Sequence, residues 1–168
     1  MEDAHRKTAL RMIPYGLYVL TTRRATDGAI AAATVNWVTQ TSFTPPLVAV
    51  GVKANSFAHE LVSESGAFVL NVLGKDQNAA AFEFFKSVDH DDERIGEHPY
   101  RLGATGSPVL DDMPAFVECS VTDIVSRGDH TLFVAEVVEA AVRREPEGRA
   151  DDATLWMRDL GERIYYGG

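Results

Sequence analysis

The sequence predicts a mainly β protein whose strands close into a small antiparallel barrel. Three observations carry this reading. Six β-rich runs lie between Tyr15 and Val142, most of them short and separated by turn residues. Helical patterns are few and short, and they do not alternate with strands as a doubly wound dinucleotide-binding fold requires. The outermost runs are apolar, so a closed barrel with its edges covered by a second subunit fits better than an open sheet. With 168 residues and 18.4 kDa, one domain over 1–168 is expected.

The elements follow in chain order. Residues 4–12, AHRKTALRM, form a short helix that Pro14 stops. The runs YGLYVLTT (15–22) and IAAATVNWV (30–38) are strands joined by a turn at ATDG (25–28), where Asp-Gly supplies positive φ. Pro45 and Pro46 cannot donate ladder hydrogen bonds and belong to the loop before LVAVGV (47–52). A helix over 56–65 starts at Asn55 or Ser56, with Phe57, Leu61 and Val62 as its apolar stripe and Glu60 and Glu64 toward water. AFVLNVL (67–73) is a strand, and DQNAAAFEFF (76–85) a second helix capped by Asp76. From Ser87 to Asp112 the pattern weakens to a long, partly irregular surface connection with the look of a lid. Two long strands, 115–126 and 130–142, then flank a turn at Arg127-Gly128-Asp129. A charged linker over 143–152 leads to the closing segments TLWMRD and ERIYYGG.

Charge narrows the partners. The formal net charge is −9, but residues 1–86 carry eight basic and seven acidic side chains against eight and eighteen in 87–168. Nucleic acid and anionic membrane surfaces are thereby disfavoured, while a single phosphate suits the near-neutral first half. The one cysteine, Cys119, lies in an alternating strand pattern and reads as a core thiol. MEDAHRK lacks the apolar segment of a secretory signal, and no apolar run approaches the ~20 residues of a membrane span. A soluble cytoplasmic protein is expected. His5, His90 and His98 form no metal constellation, and DHDDE (89–93) reads as a solvated acidic loop.

Chemistry concentrates in 30–59. Thr34, Asn36, Thr39, Gln40, Thr41 and Ser42 set short polar side chains along a strand context, where a flat ligand can approach the backbone. Lys53, Asn55 and Ser56 precede a helix start, and an ammonium, a hydroxyl and free amides there suit a phosphate. An ordinary polar strand face followed by an ordinary cap explains the same residues. Trp37 serves either as a shield for a ligand edge or as a core indole. Phe82, Phe84 and Phe85 read as helix packing.

YGLYVLTT, TVNWVTQTSFTPPLVAV and KANSFAHELVSESGAFVLNVL, followed by GDHTLFVAEVVEA and the closing Tyr-Tyr-Gly-Gly, together resemble the flavin reductase-like branch of the FMN-binding split barrels. The resemblance spans nearly the whole chain. It implies a Greek-key antiparallel split barrel with a few short helices, assembled as a homodimer, with FMN (or FAD) near the subunit interface. It further implies that Thr34, Val35, Asn36, Trp37, Gln40 and Thr41 line the flavin, and that Lys53, Asn55, Ser56 and His59 approach its phosphate. Ala58 stands where the family often has threonine, which removes one hydroxyl donor. His130, in Gly128-Asp129-His130, then lies near the face where nicotinamide is expected, with a pKa class suited to proton transfer. Tyr165 and Tyr166 are expected near the dimer seam.

The implied activity is an NAD(P)H:flavin oxidoreductase, in which hydride passes from the C4 of NADH or NADPH to flavin N5. Protein then supplies alignment and a dry site rather than a nucleophile. Reduced flavin would serve a partner monooxygenase or an electron-transfer protein. A flavoredoxin-like carrier reduced by another protein and a non-catalytic flavin-binding module are the competing readings. A cofactor-free β domain would leave the Thr34–His59 cluster a coincidence.

Overall fold

Two residues decide the shape of the sheet. The computed structural model describes residues 2–167; Met1 and Gly168, the last residue of the closing Tyr-Tyr-Gly-Gly, lie outside the described residues. After the exposed helix α1 (Asp3–Arg11) come β1 (Tyr18–Arg23), β2 (Ile30–Val35), β3 (Val38–Phe43) and β4 (Pro46–Lys53). Next are α2 (Phe57–Ser65), β5 (Ala67–Val72) and α3 (Asn78–Glu83). The strands β6 (Arg94–Ile95), β7 (His98–Leu102) and β8 (Pro108–Leu110) precede the long pair β9 (Ala115–Ser126) and β10 (His130–Val142). Seven strands form one antiparallel sheet in the order β2-β1-β5-β9-β10-β4-β3. Only Asn36 and Trp37 separate the end of edge strand β2 from the start of edge strand β3, a reach of roughly 10 Å. The sheet must therefore roll until its edges nearly meet, leaving a barrel that is split between β2 and β3.

The run expected over 30–38 is thus two strands, not one. A polar, exposed strand over 38–43 was not apparent because its side chains lack the alternation of a half-buried strand. Pro46 opens β4, paired with Phe43, rather than lying in the preceding loop; as the first residue of the strand, with no partner on β10, it can spare its missing N–H. The long hairpin over 115–142 matches expectation at both ends, and Gly128 takes φ +91° in its turn.

α2 begins as expected. The Ser56 hydroxyl accepts from His59 N–H at 3.1 Å, and Gly66 ends the helix in the left-handed conformation. Its buried stripe is Ala58, Leu61 and Val62, whereas Phe57 is half exposed because it faces a groove instead of the core. α3 is shorter than 76–85. Asp76 does not cap it but pairs with Arg144 at 2.9 Å, and Gln77 occupies the N-cap position.

Both faces of the sheet's centre are buried. Leu20, Phe68, Leu70 and Phe133 fill the barrel with Leu61 and Val62 of α2. On the outside, Leu17, Val19 and Leu73 pack against Phe84, Ile95, Leu110 and Leu155. The outer cover corrects the expectation for 87–112, which is no irregular lid but a three-stranded sheet, β6-β7-β8. Buried Asn71 fastens it. Its amide nitrogen donates to Val19 O and Thr21 Oγ1, both at 3.0 Å, and its Oδ1 accepts from Leu110 N–H at 2.9 Å. Glu118, also buried, accepts from the amides of Ala104 and Thr105 and from the Thr105 hydroxyl. Cys119 is a core thiol, as expected, and burial pushes its pKa up to about 12.

His98 ties β7 to its surroundings. Its Nδ1 lies 2.6 Å from the Asp112 carboxylate, and its Nε2 lies 3.4 Å from Glu83. The Asp112 hydrogen bond, against the opposing effect of burial, raises the His98 pKa. Folding therefore favours the protonated imidazole. The stabilisation is complete below the ordinary histidine pKa of about 6.5 and is lost as pH rises through the higher native value. His98→Gln should cost about 2 kcal/mol near pH 5.5, and the gap should narrow at alkaline pH. Urea unfolding of both proteins across that range checks this.

Candidate functional site

Alanines along an edge strand leave room for a ligand. Ala31, Ala32 and Ala33 of β2 form the floor of a groove of about 690 Å³ that also contacts the start of α2 and the aromatic end of α3. It continues through Ala33, Phe84 and Phe85 into a cavity of about 240 Å³ beside Thr34, Val35, Asn36, Lys53 and Tyr166. At the α2 end, the first amides of the helix have no intrahelical acceptor. Phe57 and Ala58 line the groove there, so their N–H groups are available to an anion.

The predicted residues divide over this geometry. Thr34, Val35, Asn36, Lys53 and Ser56 line the groove or its continuation. The Thr34 hydroxyl is already committed, donating to Ala81 O at 2.9 Å, while its N–H donates to Phe84 O at 3.0 Å. Thr34 thus holds α3 against β2. Asn36 is buried and donates to Tyr166 O at 3.1 Å. The Ser56 hydroxyl donates to Lys53 O at 2.8 Å as well as capping α2, which leaves the backbone amides as the stronger anion donors.

Gln40, Thr41 and Asn55 are exposed and do not line the groove in this chain. His59 turns inward: its Nε2 lies 2.8 Å from Thr131 Oγ1 and its ring sits edge-on to Phe133. Phe84 packs in the core as expected, but exposed Phe85 forms groove wall, a role that periodicity assigned to packing. The alanine floor escaped notice because small apolar residues signal a strand rather than a site. Among the described residues no group of three metal-ligating side chains converges.

Trp37 leaves the groove for the other side of the link. Its ring lies 4.4 Å from the His130 ring and 5.4 Å from that of Tyr166. Opposite it, a Cβ on Gly51 would lie 3.2 Å from Trp37 Cε3, so glycine lets the indole lie against β4. Trp37, His130 and Gly51 face a cleft of about 620 Å³ that also reaches Tyr15. His130 is held at both nitrogens. Nδ1 lies 2.8 Å from Asp129 Oδ1 and Nε2 lies 2.7 Å from the Tyr166 hydroxyl. A carboxylate can only accept, so Nδ1 carries a proton, and in the neutral imidazole Nε2 then accepts from Tyr166 O–H. The His130 contact holds the Asp129 carboxyl below its usual range, and burial, then the Asp129 charge, raises the Tyr166 phenol. Register pairs His130 with Lys53 across β10 and β4, which sets the two side chains on one face. The groove and the aromatic cleft are therefore neighbours.

A family model described as "Flavin reductase like domain" matches residues 10–161. The NADH-dependent flavin reductase StyB of Pseudomonas fluorescens is 32% identical over 151 residues, covering 90% of this chain and 84% of that protein. The solved styrene monooxygenase flavin reductase of Pseudomonas putida S12 superposes with a TM-score of 0.74 at 28% identity, covering 97% of this chain and 96% of that one. Some relatives are longer: the chain spans 32% of a Rhizobium meliloti protein to which it is 34% identical over 104 residues.

Gly51→Val should displace the indole from His130 while leaving the sheet intact. Near-UV circular dichroism and tryptophan emission should change, with the far-UV spectrum retained.

Proposed function

We propose, for a chain that belongs to the flavin reductase like domain family, that it is an NAD(P)H:flavin oxidoreductase acting as one unit over 1–168. The observation that carries the reading is the adjacency of two compartments. One is an alanine-floored groove ending at free helix amides; the other is an open cleft presenting an imidazole held in one tautomer. The groove fits a flavin because its walls are small or aromatic and its phosphate end carries donors without a competing carboxylate among its lining residues from α2. FMN fills such a groove; FAD adds an adenylate that the same groove does not have to hold.

Thr34, Val35, Asn36 and Lys53 would border the flavin ring, while the amides of Phe57 and Ala58 and the Ser56 cap would take its phosphate. Trp37, Gln40 and Thr41 of the family pattern, with Asn55 and His59, act on this site through the β2–β3 link and the α2 start. A bound flavin supplies the redox chemistry by accepting hydride from NADH or NADPH. The chain's own contribution is geometric and protonic. Asp129 keeps the Nδ1 proton on His130, so Nε2 faces the cleft as an acceptor. Exchanging the Tyr166 hydroxyl for a substrate carboxamide makes the imidazole a positioning group. Protonated at Nε2, it has a proton to hand on. Trp37, tilted against the ring, limits its rotation.

Exposed Ile124, Leu132, Val138 and Val142 on the β9–β10 pair support a homodimer, since a monomer leaves this apolar surface in water. A monooxygenase or electron-transfer protein would consume the reduced flavin. Among the described residues no helix is long and apolar enough to cross a membrane, which supports a cytoplasmic location.

Anaerobic addition of NADH or NADPH to the protein with FMN should bleach the flavin bands on a catalytic timescale. Bands that form and stay oxidised would leave the carrier or storage reading. Lys53→Ala with Ser56→Ala should weaken flavin binding about tenfold or more, as expected for losing a charge-assisted contact and a cap. Unchanged affinity would remove the phosphate assignment. His130→Ala should retain flavin and slow its reduction about a hundredfold, the low end for a positioned proton-transfer group. Asp129→Asn should slow reduction less, with a shifted pH profile.

A further inference from the structure

A third cavity adjoins the groove and the cleft. It encloses about 430 Å³ between the end of α1 and the C-terminal segment. Tyr166 and Met157 are shared with the groove's inner end, and Tyr15, Pro14 and Ile13 with the His130 cleft. Its lining combines planar aromatic rings with two guanidinium groups. Arg11 lies over the Tyr165 ring at 4.4 Å, and Arg158 over the Trp156 ring at 5.0 Å. Among the described residues neither guanidinium lies in an ion pair, whereas those of Arg24, Arg101, Arg143, Arg144 and Arg149 do. Arg11 spends Nε on Gly167 O at 3.4 Å, and its terminal nitrogens have no hydrogen-bond partner among the described residues. Among the described residues Glu162 is the one carboxylate in the lining, against the two guanidiniums.

Stacked guanidiniums held by ring faces, beside further flat rings, match an aromatic base carrying phosphate. We infer that this cavity binds an adenosine phosphate, carried by the nicotinamide dinucleotide whose reactive ring enters the His130 cleft. The inference rests on the reductase reading. It adds a separate compartment, outside the flavin groove, for the part of the substrate that does no chemistry. Binding energy gathered there would align the nicotinamide without touching the flavin. The same chemistry is present in the adenylate of FAD, and the test separates the two sources.

The probe is ADP, titrated by calorimetry into the FMN-loaded protein and into Arg11→Gln, Arg158→Gln and the double variant. Both arginines are exposed and α1 buries no residue, so the fold should survive; melting curves verify that. Each substitution should weaken ADP about tenfold, the scale of one charge-assisted contact. FMN affinity, read from the visible spectrum, should stay unchanged, and KM for the nicotinamide nucleotide should rise with little change in kcat. ADP that binds all four proteins equally, or none at millimolar concentration, overturns the inference. So does a loss confined to FAD affinity with the nucleotide KM unmoved, which assigns the cavity to the flavin's adenylate. Failure of FMN to bind at all would instead refute the reductase reading itself.

Discussion

The short span from Val35 to Val38 constrains the rest of the molecule. Because β2 and β3 are the two edges of one seven-stranded sheet, two intervening residues force those edges together. They cannot pair fully, since the chain between them crosses the gap. Asn36 and Trp37 consequently leave the link in different directions, Asn36 to Tyr166 O and Trp37 to His130. The barrel's split is thus also the partition between a groove for a flat ligand and a cleft for its reaction partner. An edge strand normally invites another strand; here α3, through Thr34 N–H and hydroxyl, and a proposed second subunit take up that capacity.

Function is assembled from segments far apart in sequence. The His130 cluster unites the β2–β3 link, the β9–β10 turn and the C-terminal tail, and Gly51 clears the space beneath it. None of these segments has a free choice of position. β10 is fixed by pairing with both β9 and β4, and the tail is pinned where Leu155 exchanges backbone hydrogen bonds with Leu17 and Leu73. Sequestering the outer apolar face under β6-β7-β8 matters for the same reason. Asn71 and Glu118 replace water with fixed partners there, and a buried amide or carboxylate tolerates little displacement of the loops it binds.

Much of this was legible in the residues. β9 and β10 were bounded correctly because long apolar alternation with one Gly turn has few other solutions. Asn55 and Ser56 both suit a cap locally, and the fold uses Ser56; the Gly128-Asp129-His130 turn puts the imidazole beside a carboxylate. What escaped were features that depend on tertiary contact. β3 is polar and exposed, so only its hairpin partner makes it a strand. The 87–112 segment carries too many Gly, Pro and Asp residues for its strands to show, yet Ile95, Val109 and Leu110 find cover. The family resemblance implies that His59 approaches a phosphate, but its ring faces Thr131 and Phe133. Tyr166 gave no periodic signal at all, and only folding brings it to His130.

The distribution of charge completes the picture. The chain is strongly acidic, and its proposed ligands are anions, so long-range attraction cannot explain their binding. The fold resolves this locally. The groove is built mostly from the near-neutral first half, with Lys53, Lys86 and the amino end of α2 as its positive features against Asp89, the single lining carboxylate among the described residues. Most acidic side chains of the second half sit elsewhere, and several are neutralised in place, as Asp111 is by Arg101 and Arg143 and Asp151 by Arg149. Screening at physiological salt reduces remote charges to small effects beyond about 8 Å. Short-range donors then decide affinity: backbone amides at one end of the groove and the Arg11 and Arg158 guanidiniums at the far side of Tyr166. A negative protein can in this way hold two negative nucleotides side by side, provided each phosphate meets donors before it meets the bulk of the acidic surface.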